Sequence, residues 1–128
     1  EHNVVKPKIL GTQLTRLGCS FTMTVDSQAA LAALQHEPVP DVILMDCHMP
    51  VLDGWETTRQ LRAWTTSEQV LRQKAASIPV IALTAAAYPE ERARCQETGM
   101  NDFLAKPVKL AELQQVLLRY ARATCPVA

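Results

Sequence analysis

The chain has no charge of one sign in excess: its 13 lysines and arginines are matched by 13 aspartates and glutamates. Neither a basic block nor a basic helix face stands out, so nothing in the balance argues for electrostatic capture of nucleic acid or of an anionic membrane surface by this chain alone. An uninterrupted apolar run of about 18 residues is also lacking, so no membrane span is expected, and no signal peptide is recognisable. The four cysteines, Cys19, Cys47, Cys95 and Cys125, form no C-x-x-C pair and share no zinc-type spacing with histidine. Reduced thiols in a cytosolic setting are therefore expected. No histidine of the surrounding motif is placed to activate Cys47, which reads as a packing residue. Neither an internal repeat nor a linker interrupts the sequence. With 128 residues, 48% of them hydrophobic, there is enough chain for one domain with one core, spanning 1–128.

What is present is organised around residues 41–54, DVILMDCHMPVLDG. Val42, Ile43, Leu44 and Met45 form a short apolar run that stops at Asp46, with Pro50 and Gly54 following. A run of this kind, bounded by turn residues, predicts a strand buried on both faces in a parallel sheet. Asp46 then ends that strand, at the sheet edge where α/β proteins place ligands and chemistry. Two more strand ends follow in order: IPVIALTAAA carries Thr84, and NDFLAKPV carries Lys106 before Pro107. Singly, an aspartate there serves a turn or cap, a threonine is a β-former and a lysine is solvated. Their joint order is what carries a signal.

The remaining elements can be placed around these strands. Val5, Ile9, Leu10, Leu14 and Leu17 predict a helix over 4–17, with Gly18 as its stop. Phe21–Val25 alternates as a strand, and Asp26 or Ser27 can cap a helix over 28–35. A helix follows Gly54 through Trp55, Leu61 and Trp64. Residues 65–77 are polar, without a clean apolar stripe, and read as a surface extension. Ile78–Thr84 is the next buried strand. Pro89 opens a helix whose Glu90 and Glu91 suit its positive end, and Gly99 closes it. Asp102–Ala105 is a short strand, and Leu110–Ala123 a last helix.

The motif of apolar strand, Asp46, Met49-Pro50 and Asp53-Gly54, together with Thr84 and Lys106-Pro107, resembles the response-regulator receiver domain over residues 1–123. HMPVLDGW and the extension at 65–77 resemble in particular the receivers attached to hybrid sensor histidine kinases. The resemblance implies a flavodoxin-like, doubly wound parallel α/β sheet of strand order 2-1-3-4-5. It also implies that the first strand of that order is missing from this sequence, which would leave its neighbours roughly 9–10 Å apart.

By resemblance, Asp46 is the phosphoacceptor, Lys106 a point charge on the phosphoryl oxygens, and Thr84 a hydroxyl that swings in to bond them. Mg2+ would be held by Asp46, the backbone carbonyl of His48, the residue at position 2, and Glu1 through water. His2 departs from the carboxylate usual there, and neutral imidazole suits magnesium poorly. Either His2 is a substitution within the site or the alignment of the first two residues is accidental. Phe103 fills the position of the family's switch aromatic. The implied function is to accept a phosphoryl group from a sensor histidine kinase or histidine phosphotransfer domain, with a cytoplasmic location that extends to the cytosolic part of a membrane-bound hybrid kinase. No contact with nucleic acid or membrane by this domain is expected. One alternative is a degenerate receiver that docks without being phosphorylated; the other is a flavodoxin-like mononucleotide binder, for which residues 1–5 supply no glycine.

Overall fold

A computed structural model of the chain describes residues 5–19, 21, 24, 26–36, 40–48, 53–85 and 88–120. Residues 24–107 form one compact unit. At its centre three strands, β1 (Ile43–Asp46), β2 (Val80–Thr84) and β3 (Asp102–Ala105), lie parallel in the order β1-β2-β3. Asp46 is opposite Leu83, and Thr84 is opposite Ala105. β2 is bonded on both sides and every one of its residues is buried, which is why VIALT reads as a continuous apolar run rather than an alternation. All three strands end at one edge, so Asp46, Thr84 and Lys106, from segments far apart in sequence, are delivered together.

Parallel strands need long crossovers, and helices supply them. α2 (Ser27–Ala33) precedes β1 and is capped by Asp26, whose side chain accepts from the Ala29 N–H at 2.8 Å. α3 (Gly54–Ala63) follows β1 and is capped by Asp53, which accepts from the Glu56 N–H at 2.9 Å. Its buried face carries Trp55, Thr57, Thr58 and Leu61. Thr57 and Thr58 can be buried because their hydroxyls donate to the carbonyls of Asp53 and Gly54, four residues back. α5 (Pro89–Thr98) joins β2 to β3, opening on Pro89 and closing on Gly99 at φ +99°.

The region 65–77 differs from the expected surface extension. Trp64–Thr66 makes one 3-10 turn, and Val70–Ala76 forms a helix, α4. Ala75 and Ala76 are buried, and Ala75 belongs to the main core cluster with Leu61, Ile78 and Val80. Arg72 ties the segment down, stacking its guanidinium 5.2 Å from the Trp64 ring and donating to Gln35 Oε1 at 2.9 Å. Two alanines do the packing, too small a stripe to register in the sequence pattern.

Residues 1–23 and 108–128 form a second compact unit, with helices α1 (Val5–Arg16) and α6 (Leu110–Tyr120). Leu14 and Leu17 near the end of α1 are buried, as are Leu113, Val116 and Leu117 of α6. Gln13 Nε2 donates to the Val108 carbonyl at 2.6 Å, and Gly18, at φ +80°, ends α1. Cys19 is disulfide-bonded, a correction to the expectation of four reduced thiols. Cys47 and Cys95, by contrast, are free and buried. The strand expected at Phe21–Val25 falls mostly outside the described residues, as do Glu1 and His2. Among the described residues no helix is long and apolar enough to cross a membrane.

Candidate functional site

The carboxyl edge of the sheet gathers the three strand-end residues. Asp46 ends β1 and Lys106 follows β3; Lys106 Nζ lies 2.7 Å from Asp46 Oδ2, with the two side chains 17% and 30% exposed respectively. The other carboxylate oxygen, Oδ1, accepts from the His48 N–H at 3.0 Å. A carboxylate has about four lone-pair positions, so these two bonds orient Asp46 without exhausting it. Lys106 is itself placed by backbone pairing, since its N–H donates to the Thr84 carbonyl at 2.8 Å.

The helix after Asp46 is set close against the strand end. Gly54 donates its N–H to the Cys47 carbonyl at 2.9 Å. A Cβ at position 54 would collide with the Asp46 carbonyl oxygen and lie 2.9 Å from Cys47 Cα. Only glycine permits this approach, and it fixes the turn from acceptor strand to helix. Trp55 is buried beneath it, with the exposed His48 ring edge-on at 5.4 Å. Cys47 is fully buried, and burial with Cys95 beside it pushes its thiol up to about 12. It is a packing residue and no nucleophile at neutral pH.

Thr84 ends β2, 2% exposed, and its hydroxyl donates to Glu91 Oε1 at 2.7 Å. Phe103, in β3, is half-buried beneath the guanidinium of Arg92, which stands 4.5 Å from its ring centroid. These α5 contacts were not foreseen from sequence; Glu91 signalled only a charge suited to a helix start. Of the expected metal ligands, Asp46 and His48 are at this edge, whereas Glu1 and His2 lie outside the described residues. Among the described residues no three His, Cys, Asp or Glu side chains converge as a metal cluster; Asp53 instead caps α3 and lies 3.8 Å from Arg94 Nη2.

A sheet edge with an oriented carboxylate, a lysine bridging to it and a hydroxyl from the strand between defines a site for handling an anionic group. The sequence profile of the response regulator receiver domain matches residues 1–118, and the chain belongs to that family. Sensor protein GacS of Pseudomonas syringae pv. syringae is 34% identical over 112 residues, which is 88% of this chain and 12% of that protein. Sensor histidine kinase RcsC of Escherichia coli K12 is 35% identical over 117 residues, 91% of this chain and 11% of that protein. The chain therefore spans only a small part of the length of the curated relatives it matches.

Solved structures agree. The receiver domain of a sensor histidine kinase from Pseudomonas aeruginosa PAO1, determined with a magnesium ion coordinated in its active-site cleft, is 40% identical with a TM-score of 0.76, covering 91% of this chain and 88% of that one. A chain from the co-crystal of the Saccharomyces cerevisiae histidine phosphotransfer protein Ypd1 with the receiver domain of its response regulator Ssk1 is 28% identical with a TM-score of 0.77, covering 91% of this chain and 82% of that one. The chain is thus a receiver domain of two-component signalling with the flavodoxin-like α/β fold, and β1-β2-β3 correspond to the adjacent strands 3-4-5 of its order.

Proposed function

We propose that this receiver accepts a phosphoryl group on Asp46 from a phosphohistidine donor. The observation that carries the reading is the 2.7 Å bridge from Lys106 Nζ to Asp46 Oδ2 at the carboxyl edge of the sheet. A carboxylate oxygen of Asp46 attacks phosphorus, the nitrogen–phosphorus bond of the donor breaks, and an acyl phosphate forms. The ammonium of Lys106 meets the negative charge brought in with the phosphoryl oxygens. The Thr84 hydroxyl would then bond one of those oxygens, and Phe103 would reposition with it. A magnesium ion, when bound, supplies charge neutralisation between the two anions that must meet. The donors on this chain fit it, being hard oxygens: the Asp46 carboxylate and the His48 carbonyl would hold it, in keeping with magnesium's habit of taking one or two carboxylates and keeping waters.

The family match from residue 1 to 118 supports reading 1–128 as one receiver, and the relatives in sensor kinases support a histidine kinase or histidine phosphotransfer domain as partner. A second reading, docking without phosphorylation, is favoured by His2 alone, which by resemblance stands where the family carries a carboxylate. Incubation with acetyl phosphate and magnesium separates them. One phosphoryl group should appear in the intact mass and disappear in Asp46→Asn. Labelling that survives Asp46→Asn places the acceptor elsewhere, and no labelling where a control receiver is modified favours the docking reading.

A further inference from the structure

The first turn of α5 holds the two side chains that the proposed function would move. Glu91 Oε1 accepts from the Thr84 hydroxyl at 2.7 Å, and the next residue, Arg92, covers the Phe103 ring at 4.5 Å. Both contacts reach residues of neighbouring strands, Thr84 at the end of β2 and Phe103 within β3. Thr84 is 2% exposed, so its hydroxyl trades partners within the protein rather than with bulk water. A Thr84 hydroxyl that donates to Glu91 is not donating to a phosphoryl oxygen on Asp46. We propose that Glu91 and Arg92 form a latch that holds Thr84 and Phe103 in the unphosphorylated arrangement, making Glu91 a positioning residue that sets how readily the domain switches. The proposal rests on Asp46 as acceptor for its consequence, though not for the latch itself.

The mechanism is a population shift. Glu91 accepts from Thr84 only in the rotamer that makes this bond, so it favours that state by the strength of one charge-assisted hydrogen bond, and Arg92 adds a weaker, solvent-facing contribution. Removing the acceptor frees the rotamer and raises the share of molecules ready for the phosphoryl group. Glutamine keeps an oxygen acceptor at the same reach and should rescue.

The test has two arms. In the first, without any phosphate, three-bond couplings to the Thr84 γ-methyl carbon are measured by NMR in the full chain. Wild type and Glu91→Gln should report one dominant rotamer, and Glu91→Ala an average; a single unchanged rotamer in Glu91→Ala overturns the latch. In the second, the rate of Asp46 labelling by acetyl phosphate and magnesium is compared. Glu91→Ala should raise it about three- to tenfold and Arg92→Ala about twofold, while in a Thr84→Ala background Glu91→Ala should change nothing. An equal effect of Glu91→Ala with and without the Thr84 hydroxyl shows that Glu91 acts by another route and overturns the proposal. Rotamer averaging without labelling of any variant would uphold the latch and instead refute Asp46 as acceptor.

Discussion

The two edges of the sheet both hold a cation, and they hold it differently. At the carboxyl edge Lys106 meets one carboxylate, in a pair left partly open to solvent. At the amino edge Arg62, from the end of α3, donates through Nε to Gly99 O at 2.9 Å, through Nη1 to Ala76 O at 2.8 Å and Ile78 O at 2.7 Å, and through Nη2 to Asn101 Oδ1 at 2.8 Å. Asn101 in turn pairs with the start of β2 through both its Oδ1 and its N–H. Burial lowers the Arg62 guanidinium's affinity for its proton, yet arginine stays charged. The amino edge is a knot in which donors and acceptors are matched, whereas the carboxyl edge keeps lone pairs and exposure in reserve. A cation fixed by carbonyls stabilises; one facing a reachable carboxylate can be reassigned.

That contrast is most directly broken at Arg62. Arg62→Ala removes a donor from three carbonyls and one of the two donors to Asn101 Oδ1, and should cost about 2–4 kcal/mol, read by urea unfolding. A loss below about 1 kcal/mol would mean that water replaces the guanidinium and the knot is surface decoration. Next comes the glycine that sets each edge. Gly54→Ala forces a methyl into the Asp46 carbonyl, and Gly99→Ala forces one to 2.8 Å from Arg62 Cγ at a positive φ. Each should cost about 1–3 kcal/mol, but only Gly54→Ala should also slow Asp46 labelling.

The converse prediction concerns Lys106. Lys106→Ala should change stability by about 1 kcal/mol or less, while labelling or its coupling to output falls roughly tenfold or more. Equal output from phosphorylated wild type and Lys106→Ala would reduce the lysine to solvated surface. His2→Asp sharpens the comparison further: if position 2 contributes to the metal site, magnesium affinity should rise roughly tenfold, followed by the fluorescence of Trp55, whose ring lies T-shaped to that of His48. Equal affinities would show that His2 does not stand at the metal. The smallest effect is on Cys47, whose thiol burial raises from 9.0 to about 12. Because the neutral form is favoured in the fold, the associated stability is whole below about pH 9 and is lost as pH rises toward 12. Iodoacetamide at pH 8 should leave Cys47 intact in native protein and modify it after unfolding.

These two edges also differ in how far they could be read from sequence. Asp46, Thr84 and Lys106 were legible because each interrupts an apolar run with a polar group, and three interruptions in order mark one sheet edge. Arg62 was not, because its partners are mostly backbone carbonyls 14 to 37 residues away, and a carbonyl has no letter in the sequence. α4 was missed for a related reason: its burial rests on Ala75 and Ala76, which carry little apolar signal. The latch at Glu91 and Arg92 depends on which way α5 leaves β2, something that charge near a helix start leaves undetermined. Strand β1 begins at Ile43 and β2 at Val80, later than the apolar runs that open at Val42 and Ile78, because hydrogen-bond pairing rather than hydrophobicity ends a strand.

The full enclosure of β2, bonded to a strand on each side, bears on time scales. Amides in such a strand open only in the larger unfolding events of a domain, so the amides of Ile81 to Leu83 should be among the slowest to exchange. Thr84 is thereby mounted on a part of the molecule that stays still over minutes to hours. Rapid change at this edge is left to side-chain rotation and to the residues that follow the strands.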